Sequence, residues 1–324
     1  MNHLEILRYY GIRAQKSLGQ NFLVNDEILE RIADSIEITG KDILEIGPGY
    51  GALTEKILAR KPKSLTLIEL DKNMVHILKS RIAEKDLIIP PETTFQIVEG
   101  DVLKYIPSPH PNPLLKGEGI KESVSPLLLG EGSGVRGKGG ILKYVPDLSD
   151  RDVPRHVSTG YSIIANIPYY ITSPILFRFL HELEHKPDEM VILMQKEVGD
   201  KICEKKGYHH SYLSLALQYS CETIEEICPV LKENFIPAPK VDSSVLYFKR
   251  KQEYDAPDAK RFLNITSAGF SAPRKKVLSN LTNALHLPKE ALSKIFHDLE
   301  LLETARAEEL DFRKWTEIIE KIGK

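Results

Sequence analysis

Cysteine, long apolar runs and an excess of charge of one sign are all scarce in this sequence of 324 residues. The three cysteines form no Cys-x-x-Cys pair, which argues against a disulfide scaffold and favours a reducing compartment. No apolar run reaches the length of a transmembrane helix, and the first residues lack the pattern of a signal peptide. We therefore predict a cytoplasmic protein that does not enter a membrane.

The net charge and the histidines argue against two further classes of protein. The formal net charge is −2, so no overall basic field attracts nucleic acid, and any surface that binds it must be local. Cys203 lies near His209 and His210, but no fourth ligand follows at the spacing of a zinc site. We therefore predict that the protein holds no metal.

Apolar strands alternate with helical segments over most of the chain. The predicted strands span residues 42–46, 64–69, 95–101, 161–165 and 189–194. The predicted helices span residues 25–38, 53–60 and 74–83, and Asn25 or Asp26 caps the first of them. This alternation predicts an α/β fold with a Rossmann-like, doubly wound parallel sheet, formed by residues 1–250. From residue 257 the spacing is purely helical, which predicts a small all-helical domain over residues 257–324.

Residues 107–140 interrupt this pattern. They are rich in glycine and proline, and residues 113–119 (Pro-Leu-Leu-Lys-Gly-Glu-Gly) recur with one change as residues 126–132. Such a composition buries too little apolar surface to offset the entropy lost on ordering. We predict a flexible insertion between two strands, with an arm that contacts RNA or a partner as the alternative.

A glycine-rich stretch, residues 45–52 (Glu-Ile-Gly-Pro-Gly-Tyr-Gly-Ala), lies where the first predicted strand meets a helix. Its glycines let the backbone turn sharply and approach a ligand closely. Glu69 ends the second strand, where an acid can bind ribose hydroxyls, but NAD and S-adenosylmethionine enzymes share that position. Pro48 suits a loop that cradles no pyrophosphate, and Asp101, after the third strand, can accept a hydrogen bond from an adenine amine. Together these residues favour S-adenosylmethionine.

Residues 166–169 (Asn-Ile-Pro-Tyr) follow the strand 161–165 and are the most informative stretch of the chain. The exocyclic amine of a base is a poor nucleophile, because its lone pair is delocalised into the ring. An Asn side-chain oxygen and a backbone carbonyl can accept its two N–H groups and draw the nitrogen toward sp3 geometry. Pro168 fixes the backbone, and Tyr169 offers a face for stacking. The pattern indicates methylation of an exocyclic amine; a strand-ending turn with a packed tyrosine is the alternative.

Four motifs resemble those of one enzyme family, over nearly the whole chain outside the insertion. They are residues 16–23 (Lys-Ser-Leu-Gly-Gln-Asn-Phe-Leu), 44–49 (Leu-Glu-Ile-Gly-Pro-Gly), 166–169 and 235–245 (Phe-Ile-Pro-Ala-Pro-Lys-Val-Asp-Ser-Ser-Val). The chain resembles the S-adenosylmethionine-dependent adenine N6,N6-dimethyltransferases of small-subunit ribosomal RNA. The resemblance implies S-adenosylmethionine as the cofactor and the small ribosomal subunit, with its 16S RNA, as the partner. We expect a monomeric enzyme.

The resemblance also implies roles for individual residues. The implied cofactor contacts are Asn21, Leu23, Gly47, Gly49, Glu69, Asp101 and Asn166. Gly47 would face the methionine moiety, Glu69 the ribose and Asp101 the adenine amine. The implied catalytic residues are Asn166, Pro168, Tyr169 and Phe235. The rings of Tyr169 and Phe235 would enclose the flipped adenine, although a core position is the better interpretation of Phe235 without the resemblance.

Basic residues cluster toward the predicted helical domain. Residues 240–276 contain nine lysines and arginines against four acidic residues. The candidates for RNA contact are Lys249, Arg250, Arg274, Lys275 and Lys276. Phosphate contacts from these residues would make RNA binding sensitive to salt, and a solvated helix face is the alternative for each cluster.

Two other functions stay open at this point. The large-subunit methyltransferases of macrolide resistance share the chemistry but act on other RNA, and residues 16–20 and 240–245 favour the small-subunit group. A noncatalytic ribosome-assembly or RNA-binding factor would keep the fold, but the presence together of five residues argues against lost chemistry: Glu69, Asp101, Asn166, Tyr169 and Phe235.

Overall fold

The computed structural model describes residues 1–107, 160–205, 207–253 and 256–323. Its strands are β1 Phe22–Leu23, β2 Asp42–Ile46, β3 Ser64–Glu69, β4 Thr94–Glu99, β5 Tyr161–Asn166, β6 Glu189–Gln195, β7 Cys221–Val230, β8 Phe235–Ile236 and β9 Ser243–Arg250. Its helices are α1 His3–Tyr9, α2 Asp26–Asp34, α3 Ala52–Ala59, α4 Lys72–Ala83, α5 Thr172–Phe177, α6 Lys196–Ile202, α7 Tyr212–Ser220, α8 Ala256–Gly269, α9 Val277–Leu285, α10 Lys289–Asp298 and α11 Phe312–Ile322.

A seven-stranded sheet in the order β4-β3-β2-β5-β6-β9-β7 forms the centre of the molecule. The first five strands are parallel, whereas β9 and β7 join the edge antiparallel. One apolar cluster contains residues of α2, α3 and α4, and a second contains residues of α5, α6 and α7. Two separate helix-bearing clusters around one sheet confirm the predicted doubly wound α/β fold.

The chain reverses its winding direction at β2, which pairs with β3 on one side and with β5 on the other. Open parallel sheets bind ligands in the crevice at the carboxyl ends of the strands that flank such a switch point. The fold therefore places the glycine-rich loop after β2 and the Asn-Ile-Pro-Tyr turn after β5 beside each other.

Two predicted elements are shorter in the structure. The helix predicted over residues 25–38 ends at Asp34, because the Ser35 hydroxyl donates to the Ile32 carbonyl at 2.6 Å and competes with the helical backbone bonds. Its cap is as predicted, since Asn25 Oδ1 accepts the N–H of Ile28 at 3.1 Å. The strand predicted over residues 95–101 ends at Glu99, and Asp101 caps the following 3-10 helix.

A two-stranded antiparallel sheet was absent from the sequence-based prediction. β1 and β8 pair Leu23 with Phe235, although more than two hundred residues separate them in the chain. The backbone N–H of Val24 extends the contact by donating to the carbonyl of Asn234 at 2.9 Å. This pairing joins the motif at residues 16–23 to the motif at residues 235–245.

Helices α8–α11 share an apolar core centred on Trp315, which is fully buried. Leu215 of α7 belongs to the same cluster, so this core continues into the sheet-bearing part of the chain. Helical structure after residue 257 agrees with the predicted spacing. The division into domains at residues 250 and 257 stays a prediction, and the predicted insertion lies outside the described residues except for Pro107.

Candidate active site

A cavity of about 300 Å³ opens at the carboxyl ends of the parallel strands, at the switch point; we call it the central cavity. Its lining includes all ten residues that the sequence assigned to cofactor binding or catalysis: Asn21, Leu23, Gly47, Gly49, Glu69, Asp101, Asn166, Pro168, Tyr169 and Phe235. They come from six separate stretches of the chain. The structure therefore brings the four sequence motifs to one place.

The glycine-rich loop packs closely against its neighbours at two positions, where the absence of a side chain on glycine permits the approach. Gly47 has φ +68°, and a Cβ built there would lie 3.4 Å from the backbone oxygen of Asn166. Gly49 has φ +56°, and a Cβ there would lie 3.3 Å from Cε1 of Phe22. Both conformations are strained for residues with a side chain, so glycine is required here. The loop and the Asn166 turn thus face each other closely.

Glu69 forms the floor of the central cavity at the end of β3 and is only 7% exposed. Its Oε2 accepts the N–H of Gly49 at 3.0 Å, and its Oε1 accepts the N–H of Asp71 at 2.9 Å. Burial raises the pKa of this carboxyl above its ordinary value. A carboxylate has about four acceptor positions on its two oxygens, so acceptor capacity remains for a ligand hydroxyl.

Glu45 is a cavity residue to which the sequence reasoning gave no role. It lies within β2, is fully buried, and its Oε2 has no hydrogen-bond partner among the described residues. Burial raises the pKa of its carboxyl to about 8, with the Thr54 hydroxyl acting to lower it and the nearby Glu69 to raise it. An unpartnered buried acceptor is costly and points to a missing donor. Its position in the glycine-rich motif was the signal available in the sequence.

The motif at residues 16–23 is held against the cavity by Asp71, a second residue that the sequence reasoning missed. Asp71 Oδ2 accepts hydrogen bonds from Gln15 Nε2 at 2.9 Å and Gln20 Nε2 at 2.8 Å. Its Oδ1 accepts the N–H of Asn73 and so caps α4. Asn21 follows with its Nδ2 donating to the carbonyl of Gly19 at 3.1 Å. The start of the chain is thus tied to the sheet.

Asn166 ends β5 and makes no side-chain hydrogen bond within the described part of the chain. Its Cα is paired in register with Leu193 of β6, which also lines the central cavity. Pro168 follows with φ −56°, and its side chain approaches Gly19 of the amino-terminal motif. An amide without a protein partner beside a cavity is available to both the donors and the acceptors of a ligand.

The two aromatic residues of the predicted base pocket differ in their surroundings. Tyr169 is half-buried, and its hydroxyl shares a hydrogen bond of 2.7 Å with Oγ of Ser243 in β9. Phe235 is 3% exposed and belongs to the apolar core, where Tyr169 also packs. Phe235 is therefore a core residue and a cavity residue at once. The enclosure of an adenine between these rings stays a prediction.

None of the basic residues predicted to bind RNA lines the central cavity. Lys249 Nζ pairs with Glu222 at 2.8 Å, and Arg250 Nη2 pairs with Asp188 at 3.0 Å. In contrast, Arg274, Lys275 and Lys276 are exposed and form no ion pair within the described residues. The two clusters therefore differ in the charge that they offer to solvent.

The described ranges contain no group of three or more His, Cys, Asp and Glu side chains arranged to hold a metal ion. No helix in the described part is both long and apolar enough to cross a bilayer. The three cysteines are free thiols.

Two solved structures match this fold over nearly their whole length. One is the 23S rRNA methyltransferase ErmE, with a TM-score of 0.62 and 19% identity, covering 94% of this chain and 100% of that one. The other is a dimethyladenosine transferase from Plasmodium falciparum, with a TM-score of 0.62 and 21% identity, covering 92% and 96%. At these identities the likeness establishes the fold.

Sequence comparisons establish the family. Two curated relatives are described as ribosomal RNA small subunit methyltransferase A. That of Fusobacterium nucleatum is 32% identical, covering 94% of this chain and 96% of the relative. That of Bacillus cytotoxicus is 33% identical, covering 96% and 92%. The family model described as ribosomal RNA adenine dimethylase matches residues 11–324. The resemblance found in the four motifs is thereby confirmed, and the chain belongs to the ribosomal RNA adenine dimethylase family.

Proposed function

We propose that this protein transfers methyl groups from S-adenosylmethionine to N6 of adenosines in small-subunit ribosomal RNA, giving N6,N6-dimethyladenosine during ribosome biogenesis. The carrying observation is the convergence of Glu45, Glu69, Asp101 and Asn166 on one cavity at the switch point of the sheet. The names of the curated relatives support the small subunit as substrate. A monomer acting in the cytoplasm is part of the proposal.

The residues of the central cavity fit S-adenosylmethionine, which carries an ammonium, a sulfonium, ribose hydroxyls and an adenine amine. The unpartnered Oε2 of Glu45 suits the ammonium, because a cation there would satisfy a buried acceptor and stabilise its ionised form. Glu69 has acceptor positions left for the ribose, and Asp101 lies at the cavity for the adenine amine. When bound, the cofactor supplies an electrophilic methyl group.

Asn166 would do the chemical work by orienting the target amine. Its side-chain oxygen accepts one N–H of the adenine amine while a backbone carbonyl of the turn accepts the other. This pairing draws the nitrogen toward sp3 geometry and concentrates its lone pair for attack. A base is not required before attack, because the ammonium formed is strongly acidic and loses its proton afterwards. This account agrees with a turn that carries neither histidine nor carboxylate.

The target base must leave its stack to reach the central cavity, since the cavity lies at the end of a buried sheet. Tyr169 offers a half-buried ring at the cavity lining, and stacking on such a ring is worth about 1–3 kcal/mol per base. The Ser243 hydroxyl fixes the orientation of that ring through the Tyr169 hydroxyl. The ring thereby offsets part of the cost of extruding the base.

Methyl transfer from labelled S-adenosylmethionine to undermethylated small and large ribosomal subunits tests this proposal. We expect labelled dimethyladenosine in small-subunit RNA alone. Asn166→Ala should lower kcat at least a hundredfold, because the amine is no longer oriented, while binding of the subunit is retained.

Two other results would contradict the proposal. Label in large-subunit RNA would indicate an enzyme of the macrolide-resistance type. Absence of label in either subunit, together with measurable binding of cofactor and RNA, would indicate a noncatalytic factor. An Asn166→Ala variant with normal kcat would remove this side chain from the mechanism even if the substrate is correct.

A further inference from the structure

A second cavity of about 380 Å³ lies beside the carboxyl end of β6. We call it the lysine cavity; its polar and aromatic lining includes Gln195, Lys196, Tyr208, Lys232, Lys240 and Asp242. None of these residues lines the central cavity, and the proposed chemistry uses none of them. Its position beside the central cavity and its lysine side chains nevertheless suit a contact with the proposed RNA substrate.

The two cavities are close neighbours along the edge of the sheet. Leu193 lines the central cavity, and Gln195, two residues further along β6, lines the lysine cavity. Asn166 is paired in register with Leu193 on the adjacent strand. With strands about 4.8 Å apart and a rise of about 3.3 Å per residue, the Cα atoms of Asn166 and Gln195 are roughly 8 Å apart. A nucleotide adjoining a base at Asn166 therefore reaches this region.

One segment of the chain, residues 232–243, contributes to both cavities. Phe235 lines the central cavity, whereas Lys232, Lys240 and Asp242 line the lysine cavity. At the end of the segment, Ser243 holds the Tyr169 hydroxyl at 2.7 Å. The walls of the lysine cavity are therefore fixed to the same turn that positions the candidate base-stacking ring.

Asp242 holds two segments of the lysine cavity together through hydrogen bonds to backbone N–H groups. Its Oδ1 accepts the N–H of Lys232 at 3.0 Å, and its carbonyl accepts the N–H of Lys196 at 3.0 Å. These bonds fix the backbones of Lys232 and Lys196 without using their ammonium groups. The charge of Lys232 stays available, whereas the Lys196 ammonium pairs with Asp200.

Most of the charge around the lysine cavity is already neutralised. Asp200 pairs with both Lys196 and Lys205, at 2.9 and 2.8 Å. Within the described residues, Lys232 and Lys240 are exposed and form no ion pair. Glu197, also in the lining, pairs with Lys201, and Asp242 keeps its carboxylate there. The ammonium groups of Lys232 and Lys240 are therefore the two unpaired cations that an anionic ligand could contact.

Tyr208 adds an aromatic face to this rim. It is 41% exposed, and its backbone N–H donates to the carbonyl of Lys205 at 3.1 Å. Two cations beside an exposed ring are the combination that single-stranded nucleic acid uses, with phosphates on the cations and a base on the ring.

We propose that the lysine cavity binds a single-stranded RNA nucleotide adjoining the target adenosine, with phosphates on Lys232 and Lys240 and a base stacked on Tyr208. This inference rests on the proposed function, because its ligand is the RNA whose adenosine enters the central cavity. The site holds the flanking strand in an extended, unstacked form. It therefore contributes to substrate binding and register, not to the methyl-transfer step.

The test compares Lys232→Ala/Lys240→Ala with a matched control, Lys79→Ala/Lys85→Ala. Both control lysines are exposed and form no ion pair within the described residues. They lie on and after α4, which packs on β3 and β4 at the opposite edge of the sheet. KM and kcat are measured on undermethylated small subunits. Binding of the subunits and of protein-free small-subunit RNA is measured over a range of KCl concentrations.

We expect the cavity variant to raise KM roughly tenfold with kcat within about twofold, since two phosphate contacts are lost. The slope of log affinity against log salt should become shallower by about 1.4, at about 0.7 per single-strand contact. Tyr208→Ala should raise KM at unchanged slope, and Tyr208→Phe should behave as the parent protein because it keeps the ring. The control pair should change neither quantity.

KM and salt slope equal to those of the control pair would overturn this proposal. So would weaker binding to the subunit with unchanged binding to protein-free RNA, because that result identifies a ribosomal protein as the occupant. A fall in kcat alone would also contradict it, because that result means that the lysines stabilise the turn at Ser243 and do not bind RNA. If the parent protein transfers no methyl group, the proposed function fails. The dependence of RNA affinity on salt still shows whether the lysine cavity binds RNA.

Discussion

The central cavity and the cluster of Arg274, Lys275 and Lys276 would serve the same RNA by opposite physical means. In the cavity, charged groups are buried: Glu45 is fully enclosed, and Glu69 is held by two backbone N–H groups. In the cluster, all three cations are exposed and unpaired within the described residues. Buried groups act on defined atoms, whereas exposed cations act on any phosphate within reach.

This difference separates specificity of chemistry from strength of binding. A buried carboxylate has already lost its hydration, so its interaction with a ligand cation is strong and depends on position. An exposed ammonium keeps its hydration and acts through counterion release, so its effect is additive and sensitive to salt. Changes in the cavity and in the cluster should therefore affect different observables.

The largest expected effect comes from reversing the cluster charges in Arg274→Glu/Lys275→Glu/Lys276→Glu. Loss of three phosphate contacts should weaken binding to small-subunit RNA roughly a hundredfold or more and reduce the salt slope by about 2. Affinity for S-adenosylmethionine should not change, because no cluster residue lines the central cavity.

The control for this experiment is Lys79→Glu/Lys85→Glu, which places reversed charges on exposed positions near α4. An equal loss of RNA affinity per reversed charge would mean that the net charge of the whole protein, and not the position of the three cations, determines RNA binding. The proposed distinction between the two regions would then fail. Titration calorimetry with the cofactor and filter binding with the RNA supply the two readouts.

A smaller effect, of about 2 kcal/mol in unfolding free energy near pH 6, is expected for Glu45→Gln in the cofactor-free protein. The folded-state pKa of about 8 lies above the ordinary value of 4.5, so folding favours the protonated carboxyl. The stability contributed by this group is complete below about pH 4.5 and is lost as the pH rises through about 8. Gln stays neutral, so the variant should gain stability over the parent protein between pH 5 and pH 9, at about 1.4 kcal/mol per pKa unit.

Urea unfolding at several pH values measures this difference. Parallel pH profiles of the unfolding free energy for the two proteins would show that the Glu45 carboxyl is solvated. The contrast between a buried carboxyl in the cavity and exposed cations in the cluster would then not hold for Glu45. As a control, Glu233→Gln changes an exposed carboxyl just before the motif at residues 235–245 and should leave the dependence of the unfolding free energy on pH unaltered.

The smallest expected effect concerns Lys249, the predicted RNA contact that already has a protein partner. Its partner Glu222 lies 2.8 Å away on β7, and both side chains are partly exposed. An exposed pair of this kind is worth about 0–1 kcal/mol, so phosphate can still compete for the lysine. Lys249→Glu should therefore weaken RNA binding less than Lys275→Glu does, and Glu222→Gln should strengthen it slightly. Equal effects of the two reversals would mean that the ion pair does not matter.

The sequence predicted the strands of the parallel sheet well but missed its antiparallel edge. Strands β2, β3, β5 and β6 are compact apolar runs, and β2 and β5 each end in a motif, so their positions were predictable. In β7 the apolar residues are interrupted by acidic ones and the ladder contains two irregularities. No short-range pattern predicts such a strand, because its partner β9 decides its pairing.

The same distinction applies to the site. All ten predicted cofactor and catalytic residues line the central cavity, because motif spacing at strand ends is a local property. The roles of Glu45 and Asp71 were missed, since burial without a partner and a bond to a distant glutamine are not visible along the chain. Among the basic residues, sequence treated Lys249 and Lys275 alike, and only their neighbours distinguish them.

By itself, the sequence determined the doubly wound sheet, the glycine-rich loop, the Asn-Ile-Pro-Tyr turn and the local excess of basic residues. The patterns that predict these features are local in the chain: the alternation of strands and helices, the spacing within each motif and the runs of lysine and arginine. Tertiary structure alone decided that β1 pairs with β8, that Glu45 Oε2 lacks a hydrogen-bond partner among the described residues, and that Lys232 and Lys240 line one cavity with Tyr208. Long-range pairing determines burial and the distance between charges, and these in turn determine what each side chain can bind.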